Sequence, residues 1–80
     1  MSMRYASRLI NRQKDNKTDR FYHLFITEDL FGDVMLIKEY GKVGSAGIVL
    51  KNSFISVGDA SVAMKCAEKR MLRKGYHLIA

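Results

Sequence analysis

The sequence predicts an α+β fold, an antiparallel sheet of about four to five strands with one C-terminal helix packed on one face. Three observations predict it. Runs rich in aromatic and β-branched residues follow one another through the first two thirds of the chain. The polar or glycine-rich stretches between them are too short for parallel crossovers, so the strands form a meander. A stripe of apolar residues at helical spacing occupies most of the remainder. With 80 residues, one domain spanning 1–80 is expected, and a chain of that length buries only about 60–65% of the surface its unfolded form exposes.

Tyr5 to Arg12 alternates imperfectly and reads as the first strand. Lys14-Asp15-Asn16-Lys17-Thr18-Asp19 is polar and rich in turn formers, hence a loop. Arg20 to Thr27 is strongly β-like. Tyr22, Leu24 and Ile26 share one face and Phe21, His23 and Phe25 the other, so both faces are apolar and the strand belongs in the middle of the sheet. Glu28 to Asp33 is a turn around Gly32, with Leu30 and Phe31 expected to fold back and cap the core. Val34 to Tyr40 and Ile48 to Phe54 are the next strands, joined by a loop holding Gly41, Gly44 and Gly47. Ser56-Val57-Gly58-Asp59 matches the box that caps a helix N-terminus. The helix runs to about Lys74, where Gly75 stops it. Ala60, Ala63, Met64, Ala67 and Met71 form its buried stripe, while Lys65, Lys69 and Arg73 lie on the solvent side. Tyr76, Leu78 and Ile79 form a short final strand or pack on the helix end.

Fourteen Lys and Arg against eight Asp and Glu give a net charge of +6. Such a field attracts polyanions, nucleic acid foremost. The single cysteine, Cys66, excludes an intrachain disulfide and fits a reducing compartment. Met1-Ser2-Met3-Arg4 lacks the apolar run of a signal peptide. No stretch approaches the roughly 20 apolar residues of a membrane span. A cytoplasmic protein with no membrane partner is expected.

The motifs that carry chemistry are mostly excluded. A P-loop needs Gly where the chain has Leu36 and Ser or Thr where it has Val43, and the dinucleotide-binding glycine pattern is absent. Both also require a strand–loop–helix setting, whereas this glycine loop joins two strands. A G-x-x-G spacing recurs here, but the nucleic-acid-clamping loop that uses it joins helices. His23, His77 and Cys66 share no ligand spacing, so no metal and no cofactor are expected. No nucleophile, base and orienting group assemble, so the chain is not expected to be an enzyme.

Cations and aromatics carry the stronger signal. Arg4, Arg8 and Arg12 fall every fourth residue, so in a strand they are expected to share one face. Lys38, Lys42 and Lys51 flank the glycine loop, and Tyr5, Tyr22 and Tyr40 interleave with the cations. Rings stack on bases or sugars while cations hold phosphates. The corner Tyr40-Gly41-Lys42 combines a ring, a flexible backbone and a charge.

Four blocks place this corner in a longer pattern. Arg20-Phe21-Tyr22-His23-Leu24 leads into Asp29-Leu30-Phe31-Gly32-Asp33, then Leu36 through Gly47, and the chain closes on Lys69-Arg70-Met71-Leu72-Arg73-Lys74-Gly75-Tyr76. This succession closely resembles the WGR domain, named for a Trp-Gly-Arg tripeptide, over about Arg20 to Tyr76. The family includes small stand-alone bacterial proteins and a domain of DNA-dependent poly(ADP-ribose) polymerases. The resemblance implies an antiparallel sheet with one helix, and DNA binding near strand ends or breaks. It puts Tyr40 in the place of the Trp, Gly41 in the place of the Gly and Lys42 in the place of the Arg. Tyr keeps a flat ring and adds a hydroxyl. Lys keeps the charge but loses the planar fork. The expected function is therefore a non-catalytic DNA-binding module, in which Lys42, Lys38, Arg20 and Lys51 neutralise phosphates, Gly41 lets the backbone approach, and Tyr40 stacks. The alternative is a protein–protein interaction module whose positive charge is incidental.

Overall fold

A computed structural model describes residues 2–14 and 17–79, with the backbone alone for residues 2–4. Asp15 and Asn16 of the expected first loop, the terminal Met1 and the side chain of Arg4 lie outside the described residues. The elements are β1 (Ser2–Asn11), β2 (Arg20–Glu28), β3 (Val34–Lys42), β4 (Ile48–Phe54), α1 (Val57–Arg73) and β5 (His77–Leu78). They build the α+β architecture expected from the sequence. The five strands form one antiparallel sheet in the order β4-β3-β2-β1-β5, so the first four are a meander and the short β5 joins its outer edge.

Register decides which side chains meet. Tyr22 pairs with Tyr40, Leu24 with Lys38, and Ile26 with Leu36. Beyond β3, Lys38 pairs with Leu50 and Tyr40 with Ile48. These residues share the face on which α1 packs. Leu9, Leu24, Ile26 and Leu36 are fully buried there against Ala60, Met64, Ala67 and Met71. Burying each of the four large aliphatic side chains contributes about 1.5–3 kcal/mol. Alanines in the helix stripe let it approach the sheet closely. Ser7 is buried on the same face, and its hydroxyl donates to Glu68 Oε2 of α1 at 2.8 Å.

The helix starts as expected: the Asp59 N–H donates to Ser56 Oγ at 3.1 Å. It ends in a Schellman turn. Gly75 takes φ +98°, its N–H donates to Leu72 O, and the Tyr76 N–H donates to Met71 O. α1 leaves β4 at one sheet edge and delivers the chain to β5 at the other, so it crosses the sheet diagonally.

Two expectations fail. Leu30 and Phe31 do not cap the core: they are 92% and 90% exposed. Asp29 holds their turn closed from within, its Oδ1 accepting the N–H groups of Phe31 and Asp33, both at 2.9 Å. A turn this short leaves Leu30 and Phe31 no path back to the sheet. Nor does the row expected of Arg4, Arg8 and Arg12 reach Arg12, and the side chain of Arg4 lies outside the described residues. Arg12 follows the end of β1.

The β3–β4 connection depends on glycine. Gly47 sits at φ +77°, and a Cβ there would lie 2.8 Å from Tyr40 O and 2.9 Å from Phe21 Cζ. Gly47→Ala is therefore expected to lower stability by about 2–4 kcal/mol. Gly58→Ala, in the first turn of α1 with only Ser56 Oγ nearby at 3.6 Å, is expected to raise stability by up to about 1 kcal/mol. Denaturant unfolding of the two variants checks the opposite signs.

Candidate functional site

The diagonal course of α1 leaves one corner of the sheet's helix-bearing face uncovered. At the glycine-loop end, the helix has already moved toward the β1 edge. Ile48 and Leu50, on the helix-bearing face of β4, stay about half exposed for this reason. Between them and the last turn of α1 lies a cleft of about 710 Å³. Its floor is Tyr22 and Tyr40, its far wall is Arg70, Met71, Lys74 and Tyr76, and Asn11, Gln13, Arg20, Lys38 and Leu50 complete the rim.

Three rings meet in it. Tyr22 and Tyr40 stack with centroids 5.5 Å apart and planes 20° from parallel. Tyr76 meets Tyr22 edge-on at 6.1 Å and 73°. Each ring has a local cause. Tyr22 and Tyr40 are cross-strand partners. Tyr76 is turned inward by the left-handed Gly75, which also brings it over Met71. Tyr22 is buried, whereas Tyr40 and Tyr76 are half-buried and keep ring surface open to the cleft.

The charge is one-sided. Arg20, Lys38, Arg70 and Lys74 line the cleft, and among the described residues no carboxylate does. Burial pushes the Tyr22 phenol above its ordinary value of 10.0, and neighbouring Tyr40 and Tyr76 push the same way while Arg70 opposes them. At neutral pH, Tyr22 is an uncharged hydroxyl amid cations. The cleft can therefore take a phosphate-bearing ligand: four cations for charge, two open ring faces for stacking, and Asn11 and Gln13 for hydrogen bonds.

The sequence-predicted residues divide. Tyr40, Lys38 and Arg20 converge on the cleft. Lys42 pairs with Arg20 at its mouth and lines an adjoining hollow with Gln13, Lys17, Thr18 and Arg20. Gly41 pairs with Phe21 on the sheet's opposite face, where a Cβ would lie 2.9 Å from Gly47 Cα; it holds the loop's shape. Lys51 pairs with Ile37 and so also belongs to the opposite face. Arg8 is there too, opposite His23. Sequence reasoning did not assign Arg70, Lys74 or Tyr76 to the site. A signal existed: extending the buried stripe three residues beyond Met71 reaches Lys74. Cys66 is exposed on α1, and among the described residues no group of three or more His, Cys, Asp or Glu is placed to hold a metal. No helix among the described residues is long and apolar enough to cross a membrane.

The buried phenol sets a pH dependence. Because the folded-state pKa of Tyr22 lies above its unfolded value of 10.0, the unfolded chain releases this proton first. The stability tied to neutral Tyr22 is therefore complete below pH 10 and is lost as pH rises through the folded-state pKa. Tyrosinate absorbance of the folded protein should show one late-ionising phenol, absent from Tyr22→Phe. Stability should decline above pH 10 more steeply in the parent than in that variant.

The family model of the WGR domain matches residues 5–79. No curated protein and no solved structure matches the chain.

Proposed function

The chain belongs to the WGR domain family, a nucleic-acid-binding type of domain rather than a catalytic one, and from that premise we propose that it is a non-catalytic DNA-binding module whose site is the tyrosine cleft. The observation that carries this reading is the convergence of Tyr22, Tyr40 and Tyr76 with Arg20, Lys38, Arg70 and Lys74 in one concavity that, among the described residues, no carboxylate lines. Each half of that set has a use. The cations exchange counterions for protein charge along a phosphate backbone. The open faces of Tyr40 and Tyr76 accept a base or sugar.

The shape favours a particular form of DNA. Bases inside an intact duplex hide their faces in the stack, whereas a strand end, a break or a single-stranded stretch exposes them. Rings set on a cleft floor, with cations on the rim, suit an exposed terminal nucleotide. Tyr40 is well placed for this role because it reaches the floor from β3 and is braced from behind by Tyr22. Lys42 at the mouth meets the backbone as a point charge rather than a bidentate fork.

Binding to single-stranded, nicked and blunt-ended DNA, titrated over a range of salt, tests the reading. Affinity should fall with salt at a log–log slope of about 0.7–0.9 per phosphate neutralised. Removing one rim cation, as in Arg70→Ala, should reduce that slope by roughly one contact. Tyr40→Ala should cost about 1–3 kcal/mol of binding. Lys51→Ala, on the opposite face, should leave binding unchanged. An absence of binding to all three DNAs at low salt would refute the proposal, as would equal losses from Lys51→Ala and Arg70→Ala.

A further inference from the structure

The end of the molecule opposite the cleft has its own construction. Leu30 and Phe31 protrude from the β2–β3 turn, and Ile55, at 95% exposure, leaves the adjoining end of β4. Burial of these three side chains would be favourable, and their exposure is unusual for a chain this small. Hydrogen bonds also brace the turn from within. Besides the two N–H bonds taken by Asp29 Oδ1, the Asp29 N–H donates to Asp33 O at 3.0 Å and the Gly32 N–H to Asp29 O at 3.1 Å. Leu30 and Phe31 are therefore presented in a fixed arrangement, with little ordering entropy left to lose on docking. Asp29 and Asp33 flank them, so the protrusion is acidic on a protein whose net charge is +6.

That chemistry complements the cleft. The protrusion offers an aromatic ring, an aliphatic side chain and two carboxylates. The cleft offers tyrosine faces, Leu50 and four cations, with no carboxylate among its described residues. A chain cannot join its own two ends: six strand residues, about 20 Å, separate Tyr22 from Glu28, and the turn lies beyond. We infer that the Leu30–Phe31 turn of one copy seats in the tyrosine cleft of a second copy. The contact is heterologous, so it extends head to tail instead of closing as a symmetric pair. Because it occupies the cleft proposed above for DNA, the inference rests on that reading for its consequence: DNA and a second copy exclude one another. An oligonucleotide then disperses the assemblies, and crowding of free protein withholds the site. The acidic character of the protrusion argues against an anionic surface as its occupant.

Two variants separate the ends. A turn variant carries Phe31→Ser and Asp33→Asn, neither of which adds a positive charge; both side chains are exposed and the turn's hydrogen bonds come from backbone and Asp29. A cleft variant carries Arg70→Glu and Lys74→Glu, at exposed positions of α1 and its cap. Circular dichroism checks that each keeps the fold. In sedimentation at low salt, up to about 1 mM protein, the parent should show a mass that rises with concentration. Each variant alone should associate at least about tenfold more weakly. An equimolar mixture of the two should form dimers and nothing longer, since only one intact turn and one intact cleft remain to pair. A parent that stays monomeric throughout overturns the inference. So does a turn variant that associates like the parent, or a mixture that stays monomeric while the parent associates. The turn variant, assayed dilute, should bind DNA like the parent. Self-association without any DNA binding would refute the DNA reading alone, and DNA binding by a strictly monomeric parent would refute this inference alone.

Discussion

One helix has to cover a five-stranded sheet, and it cannot. Seventeen residues of α1 make a rod about 25 Å long and 10 Å wide, set against strands of up to ten residues. The chain must also travel from the β4 edge to the β1 edge, where β5 pairs. A diagonal course meets both demands. It buries the middle of the sheet and leaves the β3–β4 corner open at the glycine-loop end. The cleft is that uncovered corner. The core and the site therefore have one cause, and the residues that line the site are continuations of the core rows: Tyr22 follows Leu24, Tyr40 follows Leu36 and Lys38, and Lys74 follows Met71.

The same constraint explains why the opposite face carries no site of this kind. No helix packs there, yet Phe21 and Ile37 are buried by their own sheet neighbours, with Phe21 held between the His23 ring and the glycine loop. Its strand cations, Arg8 and Lys51, pair across the strands with His23 and Ile37 and not with one another. Polarity instead runs along the strands. The cleft end gathers Arg20, Lys38, Arg70 and Lys74, whereas the turn at the other end gathers Asp29 and Asp33. A small domain with a basic, aromatic recess at one end and an acidic, apolar protrusion at the other is oriented before any ligand arrives.

Much of this was legible in the sequence because local rules carried it. Alternation in Arg20 to Thr27 assigned both faces of the central strand, the Ser56 box set the helix start, and Gly75 set its end. The Tyr40 corner was found by composition alone. What could not be read depends on geometry between elements. Lys51 is near Lys42 along the chain but on the other face, because strand parity across the hairpin decides its side. Arg70, Lys74 and Tyr76 join the site only through the helix's crossing direction. Arg12 does not continue the expected row from Arg8 because β1 ends at Asn11, before it. Leu30 and Phe31 failed as core residues because hydrophobicity alone does not say whether a turn is long enough to reach inward.

On the proposed reading, ligand binding belongs to the corner the helix leaves bare. Chemical-shift mapping during titration with a short single-stranded oligonucleotide distinguishes that corner from the opposite face. The largest shifts are predicted at Tyr22, Lys38, Tyr40, Arg70, Lys74 and Tyr76, with His23, Glu39 and Lys51 on the opposite face unmoved. Shifts concentrated at those last three residues, with the tyrosine cleft silent, would contradict the account.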